Sequence, residues 1–129
     1  MVIESSALLA MLLDEPEADS ISASLLRDPV HFVSSVTWLE TQVVVQSRMG
    51  QNGSALLDRL LRELRIVIVS FDAVHAQTAF AAWQRFGKGQ HRARLNFGDC
   101  CAYATAILKD QPLLFKGNDF TVTDIARVV

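Results

Sequence analysis

The chain has 129 residues and a formal net charge of −2 at pH 7, and this length fits one domain in the usual range of roughly 100 to 200 residues. Half of the residues are hydrophobic and a fifth are charged, with only 6 glycines and 3 prolines, which excludes the composition of a disordered chain. The acidic balance argues against a protein that coats nucleic acid through overall positive charge. We therefore expect a single domain over residues 1–129.

No stretch of the sequence predicts a membrane span or a signal peptide. The longest unbroken apolar run, residues 7–13, is well short of the roughly 18 residues that a span needs, and acids flank it where a signal peptide carries basic residues. The two cysteines, Cys100 and Cys101, are adjacent. That spacing suits neither a loop-closing disulfide nor a zinc site, so it indicates packing in a reducing compartment. We expect a cytoplasmic protein with no membrane partner.

The first part of the chain predicts a strand followed by two helices. Residues 1–3 form a brief apolar strand, and one of the two serines that follow Glu4 is placed to cap a helix over residues 7–13. Pro16 is placed as the first-turn proline of a second helix, which ends near Arg27 where the next residues interrupt it.

Two further strand and helix pairs are predicted in the middle of the chain. Residues 31–34 are rich in β-formers, and the helix after them stops at Gly50. Leucines at helical spacing predict another helix over residues 54–64. The β-branched run over residues 66–69 is typical of a strand buried on both faces of a parallel sheet.

The last part of the chain predicts two helices and a final strand. Asp72 is placed to cap a helix that ends near Phe86, a basic loop follows, residues 96–109 form a helix and residues 113–115 a strand. Four or five short strands that alternate with helices imply a three-layer α/β/α sandwich. Its sheet is mostly parallel, with right-handed crossovers.

Four acids fall where such a sheet binds ligands, beyond the carboxyl ends of its strands. They are Glu4 after the first strand, Glu40 in the helix after the second, Asp99 at the start of the helix after the basic loop, and Asp119 past the last strand. Converging ionised carboxylates need a compensating cation, so the set indicates a hard divalent metal. Taken singly, Asp99 could be simply a helix-capping residue, and Asp119 could be simply the turn residue that ends a strand.

A basic segment, residues 85–95, precedes Asp99. It contains no acid and carries Arg85, Lys88, His91, Arg92 and Arg94. Positive charge at this place would offset an acidic cleft that otherwise repels a polyanion. The alternative of a solvated loop has equal weight for any one of these residues.

Four segments of the chain carry a family pattern: MVIESSALLAMLLDEPEA, WLE, LNFGDCCAYATA and PLLFKGNDFTVTDI. Together they resemble the PIN domain, and specifically the VapC toxins of bacterial VapBC toxin and antitoxin pairs, over essentially the whole chain. The resemblance implies a PIN-like sandwich and a metal-dependent endoribonuclease that uses Mg²⁺ or Mn²⁺. It also implies an RNA substrate, a cognate VapB-type antitoxin and a homodimer.

The resemblance also implies roles for individual residues. The acidic quartet that binds the metal and carries catalysis corresponds to Glu4, Glu40, Asp99 and Asp119. Ser6 matches the hydroxyl of the first motif, which orders the first acid or its water, and Asn118 stands where some relatives carry another acid. The basic segment, including His91, then lies where the substrate would pass.

Glu4 departs from the family pattern, because the first motif normally carries Asp. The extra methylene moves the carboxylate by about 1.5 Å, and Mg²⁺ tolerates poor geometry badly. The substitution is natural with reduced or retuned activity, natural with full activity, or introduced to weaken a toxic enzyme, and the sequence leaves all three open. We hypothesise that Mn²⁺, a more forgiving ion, partly restores function.

Three other functions compete with this interpretation. A receiver-like signalling domain has a similar length, but it would carry two adjacent acids after the first strand, and only scattered elements of its pattern match. A catalytically inactive PIN-fold module that binds RNA or a partner is the main alternative. A DNA flap nuclease would need a longer chain.

The apolar residues have two possible uses. Helical spacing predicts that Trp38, Phe80, Trp83 and Phe86, with the leucines of residues 56–64, form the core. A patch on the first two helices and on the helix from Ser54 is the expected contact surface for the antitoxin or the second subunit.

Overall fold

The computed structural model describes residues 1–128. Within that range short strands alternate with helices. In chain order the elements are β1 (Val2–Ile3), α1 (Ser5–Leu12), α2 (Ala18–Arg27), β2 (Phe32–Ser34), α3 (Ser35–Glu63), β3 (Val67–Val69), α4 (Ala73–Phe86), α5 (Phe97–Lys109) and β4 (Leu113–Leu114).

The four strands form one parallel sheet in the order β3-β2-β1-β4. Val2 lies opposite Phe32 on one side and Leu113 on the other. Parallel neighbours need a crossover connection, and the helices supply it. Because all strands run the same way, their carboxyl ends meet at one edge of the sheet.

Two hydrophobic cores cover the two faces of the sheet, since successive strand residues point to opposite sides. Val2 and Leu113 pack with α4 and α5, whereas Ile3 and Leu114 pack with α1, α2 and α3. The result is helix, sheet and helix in three layers. The predicted fold class is confirmed.

Helix α3 contains both helices that were predicted between the second and third strands. Gly50 interrupts it with φ 65° and ψ −156°, a left-handed φ that favours glycine. The predicted stop at Gly50 is therefore present as a kink, and the second helix begins directly after it. Helix α2 begins at Ala18 rather than Pro16, with Glu17 as its N-cap residue.

The predicted burial of β3 on both faces is wrong. Val67 and Ile68 are 51% and 41% exposed, because β3 is an edge strand of the sheet. Continuous β-branched composition identified the strand but not its place in the sheet.

Two of the aromatic residues predicted for the core lie on the surface instead. Phe80 and Trp83 are 59% and 38% exposed and stack with their rings 11° apart. Helix α4 buries a different face, carrying Ala79, Ala82 and Phe86. Trp38 and Phe86 are in the core as predicted.

The leucine stripe in the second half of α3 is mostly half-buried. Leu57 is buried, whereas Leu56 is exposed. Both cysteines are buried and free, as expected for packing residues. Over residues 1–128 no helix combines the length and apolar character that a membrane crossing requires.

Candidate acidic site

Glu4 stands at the junction of β1 and α1, where it is the N-cap residue of the helix. Its Oε1 accepts a 2.6 Å hydrogen bond from the Ser5 hydroxyl, and its Oε2 accepts one of 2.8 Å from the Ser6 backbone N–H. The Ser6 hydroxyl donates to the same Oε2 and accepts from the Lys116 N–H at 2.9 Å. The longer glutamate side chain is thus bent back over its own helix terminus, and Ser6 ties this turn to the end of β4.

Asp99 occupies the first turn of α5, where it forms a capping box with Asn96. The Asn96 side chain accepts from the Asp99 N–H at 2.8 Å, and Asp99 Oδ2 accepts from the Asn96 N–H at 2.9 Å. Asp99 is 7% exposed, and its Oδ1 makes no hydrogen bond within residues 1–128. Capping therefore uses one oxygen and leaves the other for a ligand.

The electrostatics of Asp99 reflect the other three acids. Burial raises the pKa of Asp99 to about 6, the Asn96 N–H opposes that rise, and the carboxylates of Glu4, Asp119 and Glu40 add to it. Neighbouring negative charges disfavour the ionised form. The four acids thus share one electrostatic neighbourhood at the carboxyl edge of the sheet.

Glu40 reaches this neighbourhood from the second turn of α3. Its carboxylate packs against Gly98 of α5 so closely that a Cβ at position 98 would lie 2.6 Å from Oε2. A larger residue at position 98 would therefore require the end of the Glu40 side chain to shift. Sequence reasoning missed Gly98, although a glycine beside an acid in a first helical turn is the signal that could have found it.

Asp119 and Asn118 lie in the segment that follows β4, and both are exposed. Within the part of the chain that the structure describes, the side chains of Glu40 and Asp119 make no hydrogen bond or ion pair. Asn96 was missed as well, although the Asn-x-x-Asp spacing ahead of a helix is the signature of a capping box.

The donors of this site fit a hard divalent cation in kind. In residues 1–128 no three His, Cys, Asp or Glu side chains meet closely enough to hold a metal ion directly, and Glu4 is engaged by its serines. Mg²⁺, however, usually keeps several waters and binds through one or two carboxylates. The free Oδ1 of Asp99, with the carboxylates of Glu4, Asp119 and Glu40 near enough to raise the pKa of Asp99, fits that mode of binding.

The basic segment forms a closed loop that leads into α5. Lys88 donates its N–H to the Leu95 carbonyl at 2.9 Å, and the Leu95 N–H returns to the Phe86 carbonyl at 3.0 Å. His91 packs edge-on against the Phe86 ring at 5.2 Å, and its Nδ1 accepts from the Ala93 N–H at 3.0 Å. The loop is therefore internally fixed.

The cations of the segment differ in their pairing. Arg85 donates to Asp124 at 2.9 Å, so its charge is balanced within the chain. Lys88, Arg92 and Arg94 are exposed, and their side chains make no hydrogen bond or ion pair in residues 1–128. These three cations are available to an anionic ligand.

The fold and the acidic edge define the class of the protein. A model of the PIN domain matches residues 1–126, and the chain belongs to the PIN-domain family.

Within that family the chain groups with the VapC proteins. Ribonuclease VapC of Mycolicibacterium smegmatis is 47% identical over 128 residues, which span 99% of each chain. Ribonuclease VapC30 of Mycobacterium tuberculosis is 46% identical over 128 residues, covering 99% of this chain and 98% of the relative. The resemblance stated from the sequence is confirmed.

Solved structures show the same fold at low identity. The crystal structure of VapC20 from Mycobacterium tuberculosis, a sarcin-ricin loop cleaving toxin, matches with a TM-score of 0.79 and 15% identity, over 98% of this chain and 97% of that one. VapBC2 from Rickettsia felis, bound to a DNA fragment from its promoter, matches with a TM-score of 0.79 and 16% identity, over 98% and 94%.

Proposed function

We propose that this protein is a metal-dependent endoribonuclease, the toxin of a type II toxin and antitoxin pair, which hydrolyses RNA at the acidic edge of its sheet. The observation that carries the proposal is the buried Asp99, with one free carboxylate oxygen and three further carboxylates acting on it, in a chain 47% identical to a VapC ribonuclease.

The acids have separate tasks in this proposal. Bound Mg²⁺ or Mn²⁺ would supply charge relief on the phosphate, an activated water and stabilisation of the leaving oxygen. Asp99, through its free Oδ1, and Glu4 are the residues that would hold the ion. Glu40 and Asp119 hold and orient water molecules, since neither side chain is engaged elsewhere in residues 1–128. Ser6 fixes the Glu4 carboxylate, and Asn118 adds a neutral hydrogen-bonding group beside Asp119.

The basic segment positions the RNA. Lys88, Arg92 and Arg94 contact phosphates, and His91 lies among them on the fixed loop. Arg85 adds little net charge because Asp124 balances it. Phosphate contacts set the register of the strand and carry no base information, so the target sequence is selected elsewhere.

The antitoxin contact is proposed at a groove between α1 and the second half of α3. This groove is lined by Met11, Leu12, Leu56, Arg59, Leu60 and Glu63. It lies in the patch expected from the sequence, and its apolar floor with charged rims suits an amphipathic segment of a VapB-type partner. The Rickettsia felis neighbour is itself a VapBC pair.

The homodimer contact is proposed at the aromatic face of α4 and α5. Phe80 and Trp83 stack there, and Phe97 is 78% exposed. A contiguous apolar surface of this kind marks an interaction site. We assign it to a second copy of this chain.

The test of the proposed function is RNA cleavage. Antitoxin-free protein is incubated with total bacterial RNA in Mg²⁺, in Mn²⁺ or in chelator, beside an Asp99→Asn variant that keeps the capping hydrogen bonds. We expect discrete fragments that need both metal and Asp99. Cleavage that survives in chelator, or in the variant, would contradict the proposal.

One observation favours a second candidate, an inactive PIN-fold module that binds RNA or a partner. Both Glu4 oxygens accept hydrogen bonds from their own helix turn, which leaves them less available to an ion. Including the Glu4→Asp variant in the same assay separates the candidates, because a binding module predicts no cleavage by either form.

A further inference from the structure

Asp124 joins three parts of the molecule through one carboxylate. Its Oδ1 accepts a 2.6 Å hydrogen bond from the Tyr103 hydroxyl on α5. Its Oδ2 accepts a 2.9 Å hydrogen bond from Arg85, at the end of α4. The Arg85 guanidinium also lies 4.6 Å from the centre of the Phe86 ring. Asp124 itself belongs to the segment after β4 that carries Asp119.

Tyr103 ties this carboxylate to the helix face of the acidic site. Tyr103 follows Asp99 by four residues, so both side chains project from the same face of α5. Tyr103 is 4% exposed, and its ring packs 5.9 Å from that of Phe86. The hydroxyl therefore has a fixed position relative to Asp99.

The connection from Asp124 back to Asp119 is short and rigid. Phe120 is buried and packs on Phe115 at 4.9 Å. Thr121 donates both its N–H, at 3.0 Å, and its hydroxyl, at 2.6 Å, to the Asn118 carbonyl. Asp119 therefore moves only together with this turn.

The hydrogen bond between Tyr103 and Asp124 persists over the working pH range. Accepting from the Tyr103 hydroxyl and from Arg85 holds the pKa of Asp124 below its usual range. Burial and the neighbouring carboxylate raise the pKa of Tyr103 to about 12. At neutral pH a phenol thus donates to an ionised carboxylate, a charge-assisted bond of the stronger kind.

We propose that Tyr103 and Asp124 are positioning residues that fix Asp119 relative to Asp99, and that Arg85 anchors the basic segment to the same carboxylate. These contacts thereby hold the acidic site and the basic segment in a fixed position relative to each other. The activity part of this inference rests on the proposed function; the metal-binding part does not. Outer partners of metal ligands commonly change affinity by about 10- to 100-fold when removed.

The test compares Tyr103→Phe and Asp124→Asn with a matched control. Tyr103→Phe deletes only the hydroxyl and keeps the ring packing. The control is Asp58→Asn, which removes an exposed carboxylate of α3 that makes no hydrogen bond or ion pair in residues 1–128. Each protein is measured by calorimetric titration with Mn²⁺ alone, by RNA cleavage over a series of metal and RNA concentrations, and by thermal unfolding.

We expect the Mn²⁺ dissociation constant to rise about 10-fold in both variants, at the lower end of the range for outer partners of metal ligands because neither residue contacts a proposed ligand directly, with the control unchanged. The kcat should fall in Tyr103→Phe while KM for RNA stays constant, and Asp124→Asn should raise KM as well because the anchor of Arg85 is lost. Unchanged Mn²⁺ affinity in both folded variants overturns the inference, whatever happens to the unfolding temperature. If the wild-type chain binds Mn²⁺ but cuts no RNA, the proposed function fails while the titration still decides this inference.

Discussion

At Glu4 one methylene determines how the carboxylate is held. The glutamate reaches the Ser5 hydroxyl and the Ser6 N–H together, which draws it toward its own helix. An aspartate at an N-cap position also accepts from first-turn N–H groups, and its shorter side chain would place the carboxylate about 1.5 Å away from that of glutamate. We therefore expect Glu4→Asp to move the carboxylate and to keep the cap of α1.

We predict that Glu4→Asp raises the Mg²⁺-supported cleavage rate at least about threefold, because Mg²⁺ needs near-ideal octahedral geometry. The Mn²⁺-supported rate should change less. Rates with the two ions are measured for both proteins, with Glu63→Asp removing the same methylene from an exposed site. The hypothesis that Mn²⁺ compensates for Glu4 would be contradicted if the ratio of Mn²⁺-supported to Mg²⁺-supported rates were no higher with Glu4 than in Glu4→Asp.

The raised pKa of Asp99 has a consequence for stability without metal. In the folded chain the pKa of Asp99 is about 6, which is above its ordinary value, so folding favours the protonated carboxyl group. Protonation of Asp99 therefore stabilises the folded chain fully at low pH, and this contribution to the free energy of unfolding is lost as pH rises through about 6. Asp124 and Asp72, whose pKa values are lowered, lose their contribution only in more acid solution.

We predict that Asp99→Asn, in chelator, unfolds at a temperature higher than the wild type by at least about 3 °C at pH 7.5, with the difference shrinking toward pH 5. Thermal unfolding followed by circular dichroism between these pH values measures it. A difference in unfolding temperature that does not change with pH would show that ionised Asp99 does not destabilise the folded chain.

Between the elements, Gly98 of α5 leaves room for the carboxylate of Glu40 from α3. Alanine there suits the helix itself, but its Cβ would lie 2.6 Å from Glu40 Oε2. We predict that Gly98→Ala displaces Glu40 and lowers kcat about tenfold or more, as misplacement by about 1 Å does, with only a small loss of stability. Combining it with Glu40→Ala should recover the stability and not the activity. Full activity in the single variant would contradict the placement of Glu40.

The exposed cations of the basic segment are predicted to contribute to RNA binding. Removing Lys88 or Arg92 should weaken RNA binding and flatten its salt dependence, with the slope falling by about 0.7 per lost phosphate contact on single strands. Binding at several salt concentrations measures the slope, and Arg48→Ala, an exposed cation on α3, is the control. Identical slopes in the Lys88 and Arg48 variants would remove the segment from the RNA path.

Local sequence signals predicted the boundaries of elements well where a single residue sets the boundary. Gly50 marks a real interruption, because a left-handed φ is a property of a single residue. The predicted serine cap of the first helix is wrong by one or two residues, since Glu4 is the N-cap residue and its carboxylate accepts from the Ser6 N–H. The outward direction of Phe80 and Trp83 was not predictable in this way. Which face of α4 is buried depends on where α5 and the sheet lie, and periodicity alone does not contain that information.

At the scale of the whole molecule, the strand and helix alternation was enough to predict a parallel three-layer fold. The edge position of β3 required the strand order, which no local pattern specifies. Likewise the four acids could be named from their places after predicted strands. The capping partner of Asp99, Asn96, lies three residues away and could have been named from the sequence. The contacts of Gly98 with Glu40 and of Asp124 with Tyr103 could not, because they arise only when distant segments meet.

In the proposed reaction, water activated at the acidic edge attacks the phosphorus of RNA. Cleavage in H₂¹⁸O with Mg²⁺ or Mn²⁺, followed by mass spectrometry of the earliest product ends, distinguishes this reaction from attack by the ribose. We expect one solvent oxygen in the terminal phosphate of each product pair, and no product from Asp99→Asn. A 2′,3′-cyclic phosphate without solvent oxygen would contradict it, since that product comes from attack by the ribose hydroxyl.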